Sequence, residues 1–329
     1  ARLVGAKPNE VVAMNSLTVN LHLMMVSFYR PSPTKHKILI ENNTFPSDRY
    51  AVISQARSHG FDPTYSIIET KPLDGEMTVT TESILSQIEE NKGSLALVML
   101  GNCNYLSGQK FDFEKIVKAA HDAGARVGFN LAHGAGNLKL QLHDWNVDFA
   151  VWCSYKYLNS GPGGIAGAFI HEDQMKKPRI QRFEGWWGTN KETRFQMKPD
   201  FEAIPTVEAW QLSNPPIFQL ASLRASLELF DRAGMERISQ KQSQITTYFE
   251  ELLRAELGEK VQIVTPKERG SMLCLKVKDA PKEKVKNLSE KNVHLDFREP
   301  DIIRATPAPL YNSYSDVFHL VQELKSILQ

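Results

Sequence analysis

What this sequence has little of narrows its class first. Cysteine is scarce: Cys103, Cys153 and Cys274 are the only three in 329 residues. Their spacing forms no paired framework, which excludes a disulfide-stapled secreted scaffold and fits a reducing, cytoplasmic compartment. No apolar run is long enough to span a bilayer, so no membrane partner is expected. Net charge is nearly absent, at +1. No basic stripe alternates with aromatics, which argues against nucleic acid as a partner. No His-Glu-x-x-His or Cys-x-x-Cys occurs, so no metal site is expected. There is no internal repeat and no low-complexity tract. The chain opens on Ala1 rather than methionine, with no signal peptide. Its first stretch reads as the middle of a fold, so an upstream segment is expected.

What is present is an ordinary globular composition, 42% hydrophobic and 23% charged. The length suits a large domain with a smaller one. The spacing predicts a helix over Leu17 to Phe28, with Asn15 or Ser16 as N-cap. Short apolar runs then alternate with helical stretches. Strands are expected at Lys37 to Ile40, Tyr65 to Thr70, Leu95 to Leu100 and Ala125 to Phe129, then in "DFAVWC" and "GIAGAFI". Such alternation gives an α/β fold with a mostly parallel sheet. Ligands of such sheets bind beyond the carboxyl ends of the strands. That rule brings Gly101 to Asn104, Asn130 to His133 and Ser154 to Lys156 to one edge. After about Asn214 two long helices and a mixed segment follow. The division expected is 1–230 for the large domain and 231–329 for a small α+β domain.

Lys156 stands between Tyr155 and Tyr157 at the exit of an apolar strand. A lysine there either snorkels to solvent or sits in a pocket that lowers its pKa and makes it an amine nucleophile able to form a Schiff base. The glycines of "SGPGGIAGAF" lack the Gly-Lys-Ser/Thr of a P-loop and precede a strand, not a helix. They read as a tight turn and close strand packing. His133 is either structural or a neighbour of Lys156 at the same edge. The helix start at Leu17 and Thr18 either caps ordinarily or holds a phosphate. Phe45, with Asp48 in the same loop, either makes a turn or stacks on a flat ring. Arg304 either forms a surface ion pair or clamps a carboxylate.

Taken together, "NSLTVNLHLM", "FPSD", "LAHGAGN", "LHDWNVDFAVWCSYKYLNSGPGGIAGAFIHE", "GWWG", "SNPPI" and "PAPLYNS" resemble the kynureninase family over nearly the whole chain. The resemblance implies a pyridoxal-phosphate enzyme of fold type I, the aspartate-aminotransferase fold. It implies hydrolysis of L-kynurenine or 3-hydroxy-L-kynurenine to L-alanine and anthranilate or 3-hydroxyanthranilate, in tryptophan catabolism and NAD biosynthesis. Lys156 would carry pyridoxal 5'-phosphate and serve as the base for proton transfers. Tyr155 would contact the phosphate and take part in proton transfer. Leu17 and Thr18 would bind the phosphate, Phe45 would stack on the ring with Asp48 nearby, and His133 would lie beside it. Trp186 and Asn214 would come from the partner subunit of a homodimer. Arg304 would bind the substrate carboxylate.

Two positions depart from the family pattern. Asn130 stands where the fold places an aspartate against the pyridine nitrogen. A hydrogen bond to a charged group contributes about 1.5–3 kcal/mol, a neutral one about 0.5–1.5 kcal/mol. The exchange lowers the ring nitrogen's pKa by about one unit, and slower carbanion formation is expected. Gly101 stands where a hydroxyl residue is common among cofactor contacts. These departures and the abrupt start support a second reading: a catalytically impaired or silent relative that keeps the fold and dimerises. A third reading is another enzyme of the same fold, such as a cysteine desulfurase or an aminotransferase.

Overall fold

A computed structural model of the chain describes residues 1–72, 75–177, 180–277 and 282–328. Backbone contacts divide it into two units. One comprises Ala1–Pro72, Val79–Asn102 and Asp112–Arg232; the other comprises the described residues within 73–78, 103–111 and 233–329.

The first unit is built on β1 (Val11–Ala13), α1 (Leu17–Phe28), β2 (Lys37–Ile40), α2 (Pro46–Ser58), α3 (Pro63–Ser66), β3 (Ile67–Glu69) and α4 (Thr81–Glu90). It continues through β4 (Leu95–Gly101), α5 (Phe113–Asp122), β5 (Arg126–Asn130), β6 (Phe149–Trp152), β7 (Gly167–Ile170), α6 (Glu172–Met175) and α7 (Ile217–Ala233). Its seven strands are ordered β1-β7-β6-β5-β4-β2-β3. The pairs β2–β3, β2–β4, β4–β5 and β5–β6 are parallel, and β7 runs against both neighbours. Helices cover such a sheet, so its central strands carry apolar side chains on both faces. In β4 every residue from Leu95 to Leu100 is buried.

Local chemistry accounts for the elements. Helix α5 buries Phe113, Ile116, Val117 and Ala120, one stripe at helical spacing. Asp112 caps it by accepting from the Lys115 N–H at 3.3 Å. Helix α1 and β2 coincide with the segments expected for them. Ser16 precedes α1, and its side chain makes no cap hydrogen bond. The expected strand from Tyr65 is shorter, because Pro63 to Ser66 make a helical turn. Asp62 starts that turn, its carboxylate accepting from the Thr64 N–H at 2.9 Å.

The core of this unit stacks Phe28 on Phe149, ring centroids 4.9 Å apart, and sets Phe113 edge-on to Phe129. Gly167 lets β7 approach Trp152 closely: a β-carbon there would fall 2.3 Å from the indole. Gly161 and Gly163, at φ +93° and +67°, form the turn before it. The glycine cluster is therefore a turn and a packing surface.

In the second unit come α8 (Met235–Leu257), β8 (Gln262–Ile263), β9 (Leu273–Lys276), α9 (Lys282–Asn287), β10 (Asp296–Arg298), β11 (Ile302–Ala305) and α10 (Tyr314–Leu328). Its antiparallel sheet is ordered β10-β11-β9-β8. Ile245, Phe249 and Leu253 of α8, Val317 and Val321 of α10, and Leu273 and Ile303 of the sheet share one core. Cys153 of the first unit and Cys103 and Cys274 of the second are buried and form no disulfide. Among the described residues no helix is long and apolar enough to cross a membrane.

Candidate active site

The parallel strands β2, β4, β5 and β6 point their carboxyl ends to one edge. Register places Gly101 opposite Asn130, and Asn130 opposite Val151. The exits of three strands therefore converge, as strand order alone requires.

Lys156 follows β6 in a loop closed by its own serines. The Ser160 hydroxyl donates to Ser154 Oγ at 2.5 Å, and Ser154 Oγ donates to the Ile165 carbonyl at 2.6 Å. Both serines are buried, so these bonds form away from water, where an unmade one is expensive. The loop turns Lys156 back over the sheet edge. Its Nζ lies 3.3 Å from His133 Nε2 and 5.8 Å from the centre of the Phe45 ring. Tyr157 meets the His133 ring edge-on.

Beneath this group Asp48 and Asn130 form a buried pair, with Asn130 Nδ2 donating to Asp48 Oδ2 at 2.6 Å. The orientation of Asn130 is fixed by its other end, where Oδ1 accepts the Ala132 N–H at 2.9 Å. Asp48 Oδ1 is buried with no hydrogen-bond donor among the described residues. Burial pushes the Asp48 carboxyl up to about 6, against the Asn130 hydrogen bond and the Lys156 charge, which both lower it. Burial also raises the Tyr155 hydroxyl, with a smaller contribution from neighbouring Cys153.

At the start of α1, Leu17 is buried and the Thr18 hydroxyl lies 3.0 Å from Ser47 Oγ. The first intrahelical bond runs from the Asn20 N–H to the Ser16 carbonyl. The N–H groups of Leu17, Thr18 and Val19 precede it and point out of the helix end. Cationic or neutral side chains, an open carboxylate acceptor and a helix start suit a ligand that is anionic at one end and aromatic at the other.

The structure thus gathers Phe45, Asp48, Asn130, His133 and Lys156 through side-chain relations, and Thr18 stands next to them through Ser47. Gly101 joins through the sheet, and its N–H donates to the Glu41 carboxylate. Trp186 opens a short 3-10 turn and sets its ring edge-on to Phe195. Asn214 lies before α7. Arg304 belongs to the second unit, on β11. There its guanidinium donates to the Asp296 carboxylate, Nε at 2.5 Å, and to the Tyr105 carbonyl.

Sequence reasoning missed Ser47 and Glu41. An acid immediately after the strand "KILI" was the signal for Glu41, since it shares the edge with the other strand exits. Ser47 sits between Phe45 and Asp48 and needed only the proximity of α1 to α2.

A family profile, the kynureninase C-terminal domain, matches residues 238–324. Full-length similarity extends further. A kynureninase of Myxococcus xanthus (strain DK1622) is 58% identical over 328 residues, covering 99% of this chain and 77% of that protein. One from Nematostella vectensis is 48% identical, covering 99% of this chain and 73% of that one. Solved structures share the fold at low identity. The cystine C-S lyase C-DES, in complex with its product cysteine persulfide, superposes with a TM-score of 0.81 at 18% identity, covering 97% and 82% of the two chains. C-DES with glycine covalently linked to its PLP cofactor gives 0.82 at 19%, covering 97% and 81%. A cysteine desulfurase from Thermococcus onnurineus NA1 gives 0.79 at 18%, covering 99% and 81%. Fold likeness is shared with enzymes of several activities, but identity of this extent over nearly the whole chain is specific: the chain belongs to the kynureninase family.

Proposed function

We propose that this chain hydrolyses the Cβ–Cγ bond of L-kynurenine, or of its 3-hydroxy form, releasing L-alanine and anthranilate or 3-hydroxyanthranilate, with pyridoxal 5'-phosphate as cofactor. The reaction belongs to tryptophan catabolism leading to NAD. The working unit is a homodimer in the cytoplasm. The observation that carries the reading is Lys156 against His133 and Phe45, above a buried carboxylate with an open acceptor, in a chain so close to kynureninases.

The residues present fit the cofactor. Asp48 Oδ1 lacks a donor, which a protonated ring nitrogen would supply. Lys156 offers the amine for the carbonyl group. Leu17 and Thr18 would hold the phosphate through N–H groups and a hydroxyl, with Tyr155 contributing its phenol. Phe45 would stack on the ring, and His133, Gly101 and Asn130 would line its surroundings. Trp186 and Asn214 reach the site of the partner subunit. When bound, the cofactor supplies an electron sink for the charge left at Cα.

The protein's own groups do the rest. Lys156 would move protons at the substrate Cα as a general base and acid. Tyr155 passes a proton to the leaving side of the substrate. Arg304 binds the substrate carboxylate, for which its two-pronged guanidinium is suited. Its Asp296 partner holds that guanidinium in one orientation.

The test is direct. Purified protein loaded with the cofactor should show a visible absorbance band and release fluorescent anthranilate from kynurenine. Lys156→Ala should lose the band and lower turnover about 10³-fold or more. A loaded wild-type protein that releases no anthranilate would overturn the reading.

A further inference from the structure

The opposite edge of the parallel sheet carries a second concave feature. A cavity of about 370 Å³ opens at the starts of β4 and β5, between the end of α1 and the segment after α6. Four of its lining side chains are cations: Arg30, Lys35, Arg126 and Lys177. None of its described lining residues is acidic.

One acid, Asp148, pairs with Arg126 at 3.0 Å and leaves Arg30, Lys35 and Lys177 without a direct carboxylate contact among the described residues. Asp148, wholly buried behind the wall, already accepts from His121, Arg126, the Val127 N–H and Gln174, at 2.6–3.0 Å. Lys35 is held in place by backbone, its Nζ donating to the Gly124 carbonyl at 2.7 Å and the Ala123 carbonyl at 3.3 Å. Lys177 donates to the Gln174 amide oxygen at 2.6 Å, and among the described residues Arg30 reaches only the Val26 carbonyl, at 3.5 Å. Crowding of like charge shows on the neighbours. Lys177 is lowered by burial and then by Arg126, against smaller opposing effects of Asp148 and Asp173, and His59 is lowered by burial and then by Arg30. Such a concentration of cations at a concave surface attracts anions strongly.

Phe28, Ala96 and Ile180 give the cavity an apolar wall. Its volume falls within the range of small-molecule sites and exceeds what a bare phosphate needs. Two guanidiniums favour phosphoryl oxygens, which they engage bidentately. We propose that this cavity binds a small phosphorylated molecule, its phosphoryl group held by Arg30, Arg126 and Lys177 and its apolar body against Phe28 and Ile180.

Titration calorimetry on the loaded enzyme at low salt tests this with inorganic pyrophosphate, AMP, adenosine and citrate. Pyrophosphate and AMP should bind saturably, one per chain, with a Kd below about 1 mM. Adenosine, which lacks the phosphoryl group, should not bind. The double variant Arg30→Gln/Lys177→Gln should weaken both phosphate probes at least about tenfold, while leaving the cofactor band and kynurenine turnover unchanged. Three results would overturn the proposal: no saturable binding of either phosphate probe up to about 5 mM, equal binding by the double variant, or citrate binding as tightly as pyrophosphate.

Discussion

Asn130 donates its side-chain amide to Asp48 across 82 residues of sequence, at 2.6 Å and out of water. The Ala132 N–H holds the amide oxygen, so the amide cannot turn over without breaking that bond. The negative charge of this corner of the site therefore resides on Asp48, and Asn130 presents only a donor to it.

That arrangement makes Asn130→Asp informative. The variant sets two carboxylates side by side, and they share a proton because both cannot ionise cheaply at that distance. If a weakened electron sink limits the enzyme, the second carboxylate, fully ionised once the shared proton passes to the ring nitrogen of bound cofactor, should raise kcat about tenfold, the equivalent of roughly 1.4 kcal/mol. Steady-state kinetics decide it: a variant no faster than the parent removes Asn130 as the limiting feature.

Asp48 makes the cofactor-free protein pH-sensitive. Its carboxyl titrates near 6 when folded and near 3.9 when unfolded. The folded state binds the extra proton between those values, so stability falls as pH rises from about 4 to about 6 and stays lower above. The gap of about two units amounts to roughly 3 kcal/mol. Asp48→Asn should therefore raise the melting temperature of the cofactor-free protein at neutral pH, the gain vanishing toward about pH 4. The same variant should gain less stability from added cofactor than the parent does. Scanning calorimetry with and without cofactor reads both effects.

Ser154→Ala should loosen the loop that carries Lys156. It strips the Ile165 carbonyl of its donor and the Ser160 hydroxyl of its acceptor, both buried. A loss of about 1–3 kcal/mol is expected in denaturant unfolding. Ser160→Ala leaves the bond to Ile165 intact and should be milder. Equal losses from the two would contradict this order.

Arg304→Lys keeps the charge but removes the fork. Substrate affinity should suffer more than the chemical step, with KM rising about tenfold and kcat changing little. A fall in kcat at constant KM would assign Arg304 a different role.

Local pattern carried much of the fold. Leu17 to Phe28 and Lys37 to Ile40 were legible because apolar periodicity and turn residues bound them closely. The turn at Pro63 to Ser66 was hidden by the apolar run after it, although Asp62 before a proline is a helix-start signal. The site divides along the same line. Lys156 and His133 could be placed because strand exits of a parallel sheet share an edge. The Asp48–Asn130 pair, the Thr18–Ser47 contact and the Glu41 bond to Gly101 could not. Each joins distant segments whose docking depends on packing and leaves no periodic mark. The four cations of the second cavity, at positions 30, 35, 126 and 177, are scattered through the sequence for the same reason.

The buried thiols have a practical consequence. Burial raises the pKa of Cys153 beside the lysine loop, and pushes that of Cys274 up to about 11. A thiol so protonated and so enclosed reacts with an alkylating reagent only when its surroundings open. Cys153 lies in the first unit and Cys274 in the second. Mass-resolved alkylation therefore times the opening of each unit separately in the unmodified protein, and the change in the Cys153 rate on adding cofactor measures how far the ligand quiets the loop that holds it.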